Sequence, residues 1–279
     1  MSKLSVTFID VGWGDSIFIE SVTNNSTHYA LIDCNDTTYN RSSLIYVKKY
    51  LKKMHVDYES QMHLFDFILL SHPHHDHISG VKQMMSTFGT DWYLYPKSDL
   101  HGAFADTLRY ANRSNKVSRH QSIDNTKVLP KLGDADLHIL WPPHTDGSYP
   151  YDQDNPNNNS IVLVLELDRV RFVLTGDCEA QNWHNIDAEL LKSKVKMFKF
   201  PHHGAENGLF DNSNNTPWLD LLGVRTKLTL SLHLRHGHPH PRVISELNNR
   251  QFTFYRTDEH YHVTFSTDGR KLNTKWSRI

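Results

Sequence analysis

The sequence predicts an α/β protein built as one domain over residues 1–279. Short apolar runs of strand length alternate along the chain with segments of helical periodicity, as in layered α/β folds. Of the 279 residues, 38% are hydrophobic and 22% are charged, which is enough apolar material for a substantial core. No Pro/Gly-rich linker or low-complexity block divides the chain. We therefore start from a single folded unit.

The first half is predicted to open with a meander, because its first three apolar or alternating runs are separated by Gly or Asn turns. Leu44, Val47 and Leu51 then recur at helical spacing, and a continuous apolar run of buried-strand length follows. The predicted strands are 4–10, 16–21, 28–34, 65–70 and 92–95. The predicted helices are 44–54, 78–88 and 99–113.

The second half continues in the same style without a detectable sequence repeat. Its predicted strands are 136–141, 160–167, 170–176, 195–200, 226–234, 252–256 and 261–265. Its predicted helices are 180–192, 216–222 and 241–249. Two polar, Asn-rich connections, 152–159 and 207–215, are of the kind that carries functional residues.

The charge balance excludes a protein that is basic overall. Thirty Lys and Arg stand against 31 Asp and Glu, a net charge of -1, so binding to nucleic acid would need a local basic patch. Neither a signal peptide nor a membrane-spanning run is recognisable, and we expect a cytoplasmic protein without a membrane partner. Cys34 and Cys178 are too few for a disulfide framework and are expected to be small buried side chains.

The chain contains 20 histidines, an unusually high number, and several of them lie close together in the sequence. Residues 71–77 read Ser-His-Pro-His-His-Asp-His, between a buried strand and a helix. Neutral imidazoles and carboxylates converging on one cavity are what two divalent ions need. A solvated His-rich loop is the alternative, but such a loop needs no buried strand leading into it. The cluster therefore predicts a two-metal centre with four ligands: His72, His74, Asp76 and His77.

This spacing resembles the HxHxDH signature of the metallo-β-lactamase superfamily, with His75 at the variable position. The resemblance implies a four-layer αββα sandwich in which two mixed sheets face each other, helices cover both, and the metal site lies at one sheet edge. It also implies that Asp33 supports the site and that Asp177, in the segment Phe-Val-Leu-Thr-Gly-Asp, bridges the metals. The last ligand falls in Pro-His-His-Gly, 201–204: strand counting favours His202, and the spacing from Asp177 is compatible with His203.

A narrower resemblance covers nearly the whole chain. Residues 8–16, Phe-Ile-Asp-Val-Gly-Trp-Gly-Asp-Ser, are similar to the FxDVGxGDS opening of ComEC-type metallohydrolase domains, and segments 157–160, 201–204 and 237–240 also match motifs of that group. The resemblance implies a free-standing catalytic domain of a type linked to DNA degradation or phosphodiester hydrolysis. Within the opening motif, Gly12 and Gly14 predict a tight turn rather than a phosphate loop, and Asp15 is expected to cap it.

The chain departs from the broader superfamily at one position. Where many members carry a third histidine on the first metal, this sequence has Asn158. A carboxamide offers only a neutral oxygen, so the first metal is expected to be weakly held, which suits Mn²⁺ as well as Zn²⁺. His144 is the nearest alternative and is interpreted as a surface-loop residue.

The expected chemistry is hydrolysis by a hydroxide that bridges two divalent ions. Asp76, His203 and His238 are the predicted catalytic residues, with His202, His203 or His238 assisting the leaving group. Nucleic acid or a small phosphodiester is the first choice of substrate. A lactone, thioester or other acyl substrate is the alternative, as is a metal-binding regulatory protein without turnover.

Trp13, Trp92 and Tyr93 are candidates for base stacking but are typical of core positions. The sequence does not reveal whether the protein has a protein partner.

Overall fold

The structure is a computed structural model that describes residues 2–144, 152, 154–232 and 237–278. Fourteen strands are present in this part of the chain: β1 (Lys3–Phe8), β2 (Ile17–Val22), β3 (Thr27–Ile32), β4 (Phe65–Leu69), β5 (Thr90–Tyr95), β6 (Val117–Ser122), β7 (Asp136–Trp141), β8 (Val162–Leu167), β9 (Val170–Leu174), β10 (Val195–Lys199), β11 (Lys227–Leu230), β12 (Phe254–Arg256), β13 (His262–Thr267) and β14 (Leu272–Ser277). The α-helices are α1 (Ser42–Lys53), α2 (His75–Ile78), α3 (Val81–Phe88), α4 (Gly102–Arg113), α5 (Glu206–Leu209), α6 (Pro241–Asn249) and α7 (Thr257–His260).

The strands form two mixed sheets. The larger has the order β14-β13-β1-β2-β3-β4-β5-β6, and the smaller has the order β12-β11-β10-β9-β8-β7. Strands β3 to β6 run parallel to one another, as do β9 to β12, whereas the remaining pairs are antiparallel. The predicted N-terminal meander is confirmed, because β1 pairs with β2 and β2 pairs with β3 in antiparallel register.

The two sheets pack face to face, and helices cover their outer faces. Strand β4 shows the pattern: Phe67 and Leu69 enter the core between the sheets, and Ile68 enters the core beneath helices α1, α3 and α4. A parallel strand that is buried on both faces needs this continuous apolar run. On the smaller sheet, α6 and short 3₁₀ turns cover the outer face through a cluster that includes Trp218 and Leu247. The predicted four-layer αββα sandwich is confirmed.

Several predicted elements differ from the structure. The predicted helix 180–192 consists of two 3₁₀ turns, Ala180–Asn185 and Ala188–Leu190, because its Asn and Asp side chains favour turns over a continuous helix. The predicted helix 216–222 is only the 3₁₀ turn Leu219–Leu221. Strands β6 and β14 were not predicted, since both are mostly exposed, polar edge strands without an apolar run.

The expectation for the two cysteines is confirmed. Cys34 and Cys178 are free thiols in the interior, and burial raises the pKa of each thiol. Among the helices of the described residues, none combines the length and the apolar character needed to cross a membrane.

Candidate metal centre

The candidate site lies where strands of both sheets end. Asp33 follows β3 and His72 follows β4 in the larger sheet, whereas Asp177 follows β9 and His203 follows β10 in the smaller one. Each pair of strands is parallel and adjacent, so their carboxyl ends meet at the same edge. The packing of the two sheets then brings the two edges together.

Four side chains converge on one small space. The distance from His77 Nε2 is 3.2 Å to Asp177 Oδ2 and 3.2 Å to His203 Nε2, and the two latter atoms are also 3.2 Å apart. Asp76 Oδ2 lies 3.3 Å from His203 Nε2 and 3.9 Å from His77 Nε2. Ligands held about 2.1 Å from a tetrahedral ion are roughly 3.4 Å from one another, so these atoms have the spacing that a divalent ion requires.

A second group of donors lies beside the first. His72 is fully buried, and its Nε2 has no hydrogen-bond partner among the described residues. This nitrogen lies 3.9 Å from Asp177 Oδ2, and the ring of His74 packs 4.6 Å from the ring of His72. Buried polar atoms are normally satisfied, so the unpartnered imidazole fits a site for a cation. Asp177 lies between the two groups of donors.

Hydrogen bonds behind the cluster orient its imidazoles. Asp33 accepts from the backbone N–H of Ser71 at 2.6 Å and from the Ser71 hydroxyl at 2.6 Å, and its Oδ2 lies 2.7 Å from His77 Nδ1. His203 Nδ1 donates to the carbonyl of Ser231 at 2.7 Å. A histidine that is bonded through Nδ1 presents Nε2 in a fixed direction, which is the usual arrangement behind metal-binding histidines.

The sequence did not decide between His202 and His203 as the last metal ligand. The structure brings only His203 into the cluster. Both residues have positive φ angles, 48° and 51°, so the tight backbone turn directs consecutive side chains to different places. His203 is fully buried. The His202 side chain is 23% exposed, with Nδ1 3.0 Å from Asn207 Oδ1 and Nε2 3.4 Å from Asn157 Nδ2.

The Asn158 side chain is engaged by hydrogen bonds to neighbouring polar side chains, and its role as a metal ligand stays a prediction. Its side-chain oxygen accepts from Asn182 at 2.7 Å, its side-chain nitrogen donates to Asp152 at 2.7 Å, and its carbonyl accepts from Trp141 Nε1 at 2.6 Å. These bonds use the carboxamide to order the loop. The neighbouring Asn157 is buried, and its side-chain oxygen has no hydrogen-bond partner among the described residues.

Sequence reasoning missed two charged residues beside the cluster, Asp15 and Lys199. Both are fully buried, and Lys199 Nζ lies 2.7 Å from Asp15 Oδ2. Gly14, next to Asp15, packs closely against Asp76: at its φ of 88° an added Cβ would lie 2.0 Å from the carbonyl oxygen of Asp76. Asp15, which was expected to cap a turn, is instead paired with Lys199 beside the cluster. The one local signal for Lys199 was a charge at the end of a buried strand, two residues before the segment 201–204.

Charge coupling between carboxylates and imidazoles dominates the electrostatics of the cluster. Burial of the His203 ring opposes protonation, but the carboxylates of Asp177 and Asp76 raise the pKa of His203 to about 10. Burial alone would raise the pKa of Asp177, yet His203 and His77 hold that pKa well below its usual range. The pKa of His72 is lowered by burial and by the neighbouring His77. A cation that binds here must displace protons from the imidazoles.

The mouth of the site is aromatic and rich in histidine. The indole of Trp13 stacks on the His238 ring at 5.5 Å with an interplanar angle of 14°, and it lies 4.9 Å from the His203 ring. An open groove of about 640 Å³ begins beside these rings. The groove is lined by polar and aromatic side chains that include His202, Asn207, Phe210, His238, His240 and Arg242.

Three other candidates lie outside the cluster. Tyr93 is fully buried and its hydroxyl bonds to Thr107, so it belongs to the core. Trp92 packs against the core beneath the guanidinium of Arg119, 5.3 Å from the ring centroid. His144 is exposed and pairs with Asp124 at 2.9 Å, as expected of a surface-loop residue.

Comparison with known proteins matches a large part of this chain to one family. The family model described as "Beta-lactamase superfamily domain" matches residues 31–230, which is more than half of the chain. The chain is 23% identical over 276 residues to ComE operon protein 3 of Bacillus subtilis (strain 168); the match covers 96% of this chain but only 34% of that protein.

Solved structures share the fold. The metallo-β-lactamase fold protein YhfI from Bacillus subtilis superposes with a TM-score of 0.55 at 11% identity, over 92% of this chain and 96% of that one. Zn²⁺-bound PqqB from Methylobacterium extorquens superposes with a TM-score of 0.50 at 10% identity, over 92% and 98% of the two chains. The extent of the family match and the shared four-layer architecture lead to one conclusion: the chain belongs to the metallo-β-lactamase superfamily and has the fold of a metal-dependent hydrolase.

Proposed function

We propose that the protein is a dinuclear metal-dependent hydrolase that cleaves phosphodiesters. The observation that carries the proposal is the convergence of three imidazole Nε2 atoms on Oδ2 of Asp177, at 3.2 to 3.9 Å. Asp177 would contribute to holding both of two divalent ions, Zn²⁺ or Mn²⁺. His72 and His74 would hold one ion, and Asp76, His77 and His203 would hold the other.

The residues present divide into holding and assisting roles. Two bound ions would lower the pKa of a water molecule between them and neutralise charge on a substrate oxygen. Asp33 fixes the ring of His77 from behind. His238 lies at the mouth against Trp13, where an imidazole is suited to protonate a leaving group. His202 lies 6.0 Å from the His238 ring and is a second group on the substrate side.

A phosphodiester substrate is favoured by the ComEC-like motifs, whose residues surround the mouth. Trp13 belongs to the first motif, His202 to the third and His238 to the fourth. The open groove beside them leaves space for groups flanking the scissile bond. Arg242 in this groove is already paired with Glu206 at 2.8 Å, so phosphate recognition would depend mainly on the bound metals and the histidines.

The test is hydrolysis of bis(4-nitrophenyl) phosphate and of single- and double-stranded DNA by purified protein supplied with Zn²⁺ or Mn²⁺. We expect metal-dependent turnover that Asp76→Asn lowers about 100-fold or more, because that change removes a charge from the cluster. The control is Asp106→Asn, an exposed residue of α4, which should leave the rate unchanged.

The outcomes separate the alternatives. Inactivity on all phosphodiesters with efficient lactone or thioester hydrolysis would replace the substrate class and keep the metal chemistry. Metal binding without any turnover would favour a regulatory protein. Failure to take up either ion would overturn the proposal itself.

A further inference from the structure

Lys199, the last residue of β10, places a fully buried ammonium beside the candidate metal centre. Its Nζ lies 2.7 Å from Asp15 Oδ2, donates to the carbonyl of Gly176 at 2.8 Å and lies 3.7 Å from Asp177 Oδ1. A charge removed from water is costly unless it is paired and hydrogen-bonded. All three contacts involve the turn that carries Asp177 or the motif that carries Asp15.

The two carboxylate oxygens of Asp177 face different groups. Oδ2 faces the Nε2 atoms of His72, His77 and His203, at 3.9, 3.2 and 3.2 Å. Oδ1 faces Lys199 and has no hydrogen-bond partner among the described residues. The backbone N–H of Asp177 donates to the Ser160 hydroxyl at 3.1 Å, so main chain and side chain are both held.

Asp15 lies within 4.8 Å of candidate ligand atoms of His77, Asp177 and His203, and its nearest imidazole contacts are to the Nδ1 atoms. Its Oδ2 is 3.7 Å from Nδ1 of His77, and its Oδ1 is 4.0 Å from Nδ1 of His203. The nitrogens that face the cluster are the Nε2 atoms on the other side of each ring. The Asp15 carboxylate is therefore placed to balance the charge of Lys199.

We infer that Lys199 is a positioning residue, whose ammonium attracts Oδ1 of Asp177 and keeps Oδ2 directed at the imidazole nitrogens that would hold the metal ions. Without the ammonium, the carboxylate would be free to rotate and to present its oxygens differently to the cluster, which would weaken the binding of a second ion. The inference rests on the proposed dinuclear function. The orientation of the Asp177 carboxylate, however, can be measured without any metal.

The experiment compares three variants. Lys199→Met leaves the Asp15 carboxylate buried without its partner and is expected to lower stability. Lys199→Met combined with Asp15→Asn removes both charges and should recover most of that stability, since a buried pair is often replaceable by neutral groups. Lys196→Met, on the same strand, is the matched control. Thermal unfolding of the metal-free proteins, binding of Zn²⁺ and Mn²⁺ by calorimetry, and metal-free crystal structures are the measurements.

A positioning role predicts that the double variant regains stability but binds the second ion more weakly than wild type. The expected loss of affinity is about 10- to 100-fold, which is usual when a group that orients a metal ligand is removed. Its crystal structure should show the Asp177 carboxylate rotated. Wild-type affinity and an unrotated carboxylate in the stable double variant would overturn the inference, leaving Lys199 only as a counter-charge. Absence of metal uptake by the wild type would overturn the proposed function, while the carboxylate orientation would still decide whether Lys199 positions Asp177.

Discussion

At the scale of single residues, the segment 201–204 shows how one backbone turn separates two identical side chains. His203 is buried against Asp177 and Asp76, whereas His202 faces the groove and contacts Asn207. The difference follows from two consecutive residues with positive φ. A tight turn of this kind is not visible in residue spacing, which is why the sequence supported either histidine.

His203→Ala is expected to weaken binding of Zn²⁺ by about 100-fold or more, because it removes a nitrogen of the cluster. His202→Ala should retain metal affinity and lower phosphodiesterase turnover, because its ring lies on the groove side. Metal titration and steady-state kinetics on the two variants measure both effects. Loss of metal from the His202 variant with retention in the His203 variant would reverse the assignment.

Residues 72–77 were predictable as a group because their spacing in the sequence is itself the signal. Asp15 and Lys199 were not, because their pairing joins positions far apart in the sequence and no local pattern reports it. The role of Asn158 as a metal ligand stays a prediction. A carboxamide offers a donor and an acceptor that a polar loop can use, and here Asp152 and Asn182 take both.

At the scale of elements, the site depends on a close contact between the first motif and helix α2. The backbone N–H of Asp15 donates to the carbonyl of Asp76 at 3.1 Å, directly beside Gly14. A side chain at position 14 would have to push the motif away from the helix that carries Asp76 and His77. The GxG pattern predicted a tight turn, but the contact that requires the glycine lies in another element.

Gly14→Ala is expected to lower the free energy of unfolding by about 2 kcal/mol or more, because it combines a strained φ with a steric clash. It should also weaken metal binding by displacing α2. Gly102→Ala is the matched control, since its φ is also positive, at 52°, but no atom lies within 4 Å of the added Cβ. Urea unfolding of both variants measures the difference. Equal losses of stability would mean that the contact with Asp76 contributes nothing.

At the scale of the whole molecule, the candidate centre joins the two sheets at their edges. His72 and His77 follow strand β4 of the larger sheet, and Asp177 and His203 follow strands of the smaller one. Layered architecture was predictable from the alternation of apolar runs and helical segments, and the resemblance supplied the αββα order. The exposed edge strands β6 and β14 were not predictable, because edge strands bury little and carry polar side chains.

A bound metal is therefore expected to stabilise the contact between the sheets. With free metal at about 100 times its dissociation constant, the added stability is about 2.7 kcal/mol, which corresponds to a rise in Tm of roughly 5 to 10 °C. Thermal unfolding with and without a chelator measures the shift. A variant carrying both His77→Ala and His203→Ala should show no metal-dependent change, and an equal shift in that variant would point to a different binding site.

The pairing of β1 with β13 has a consequence for how the chain folds as it is synthesised. Leu4 aligns with Thr267, so one edge of β1 has no partner strand until β13 has been synthesised. At about 5 to 20 residues per second, that delay is roughly 13 to 50 seconds. During this interval the nascent sheet has an open edge, the kind of surface that recruits other strands. A topology with such distant pairings folds slowly, and chaperone protection of the nascent N-terminal half would matter more for this protein than for one whose neighbouring strands are also neighbours in sequence.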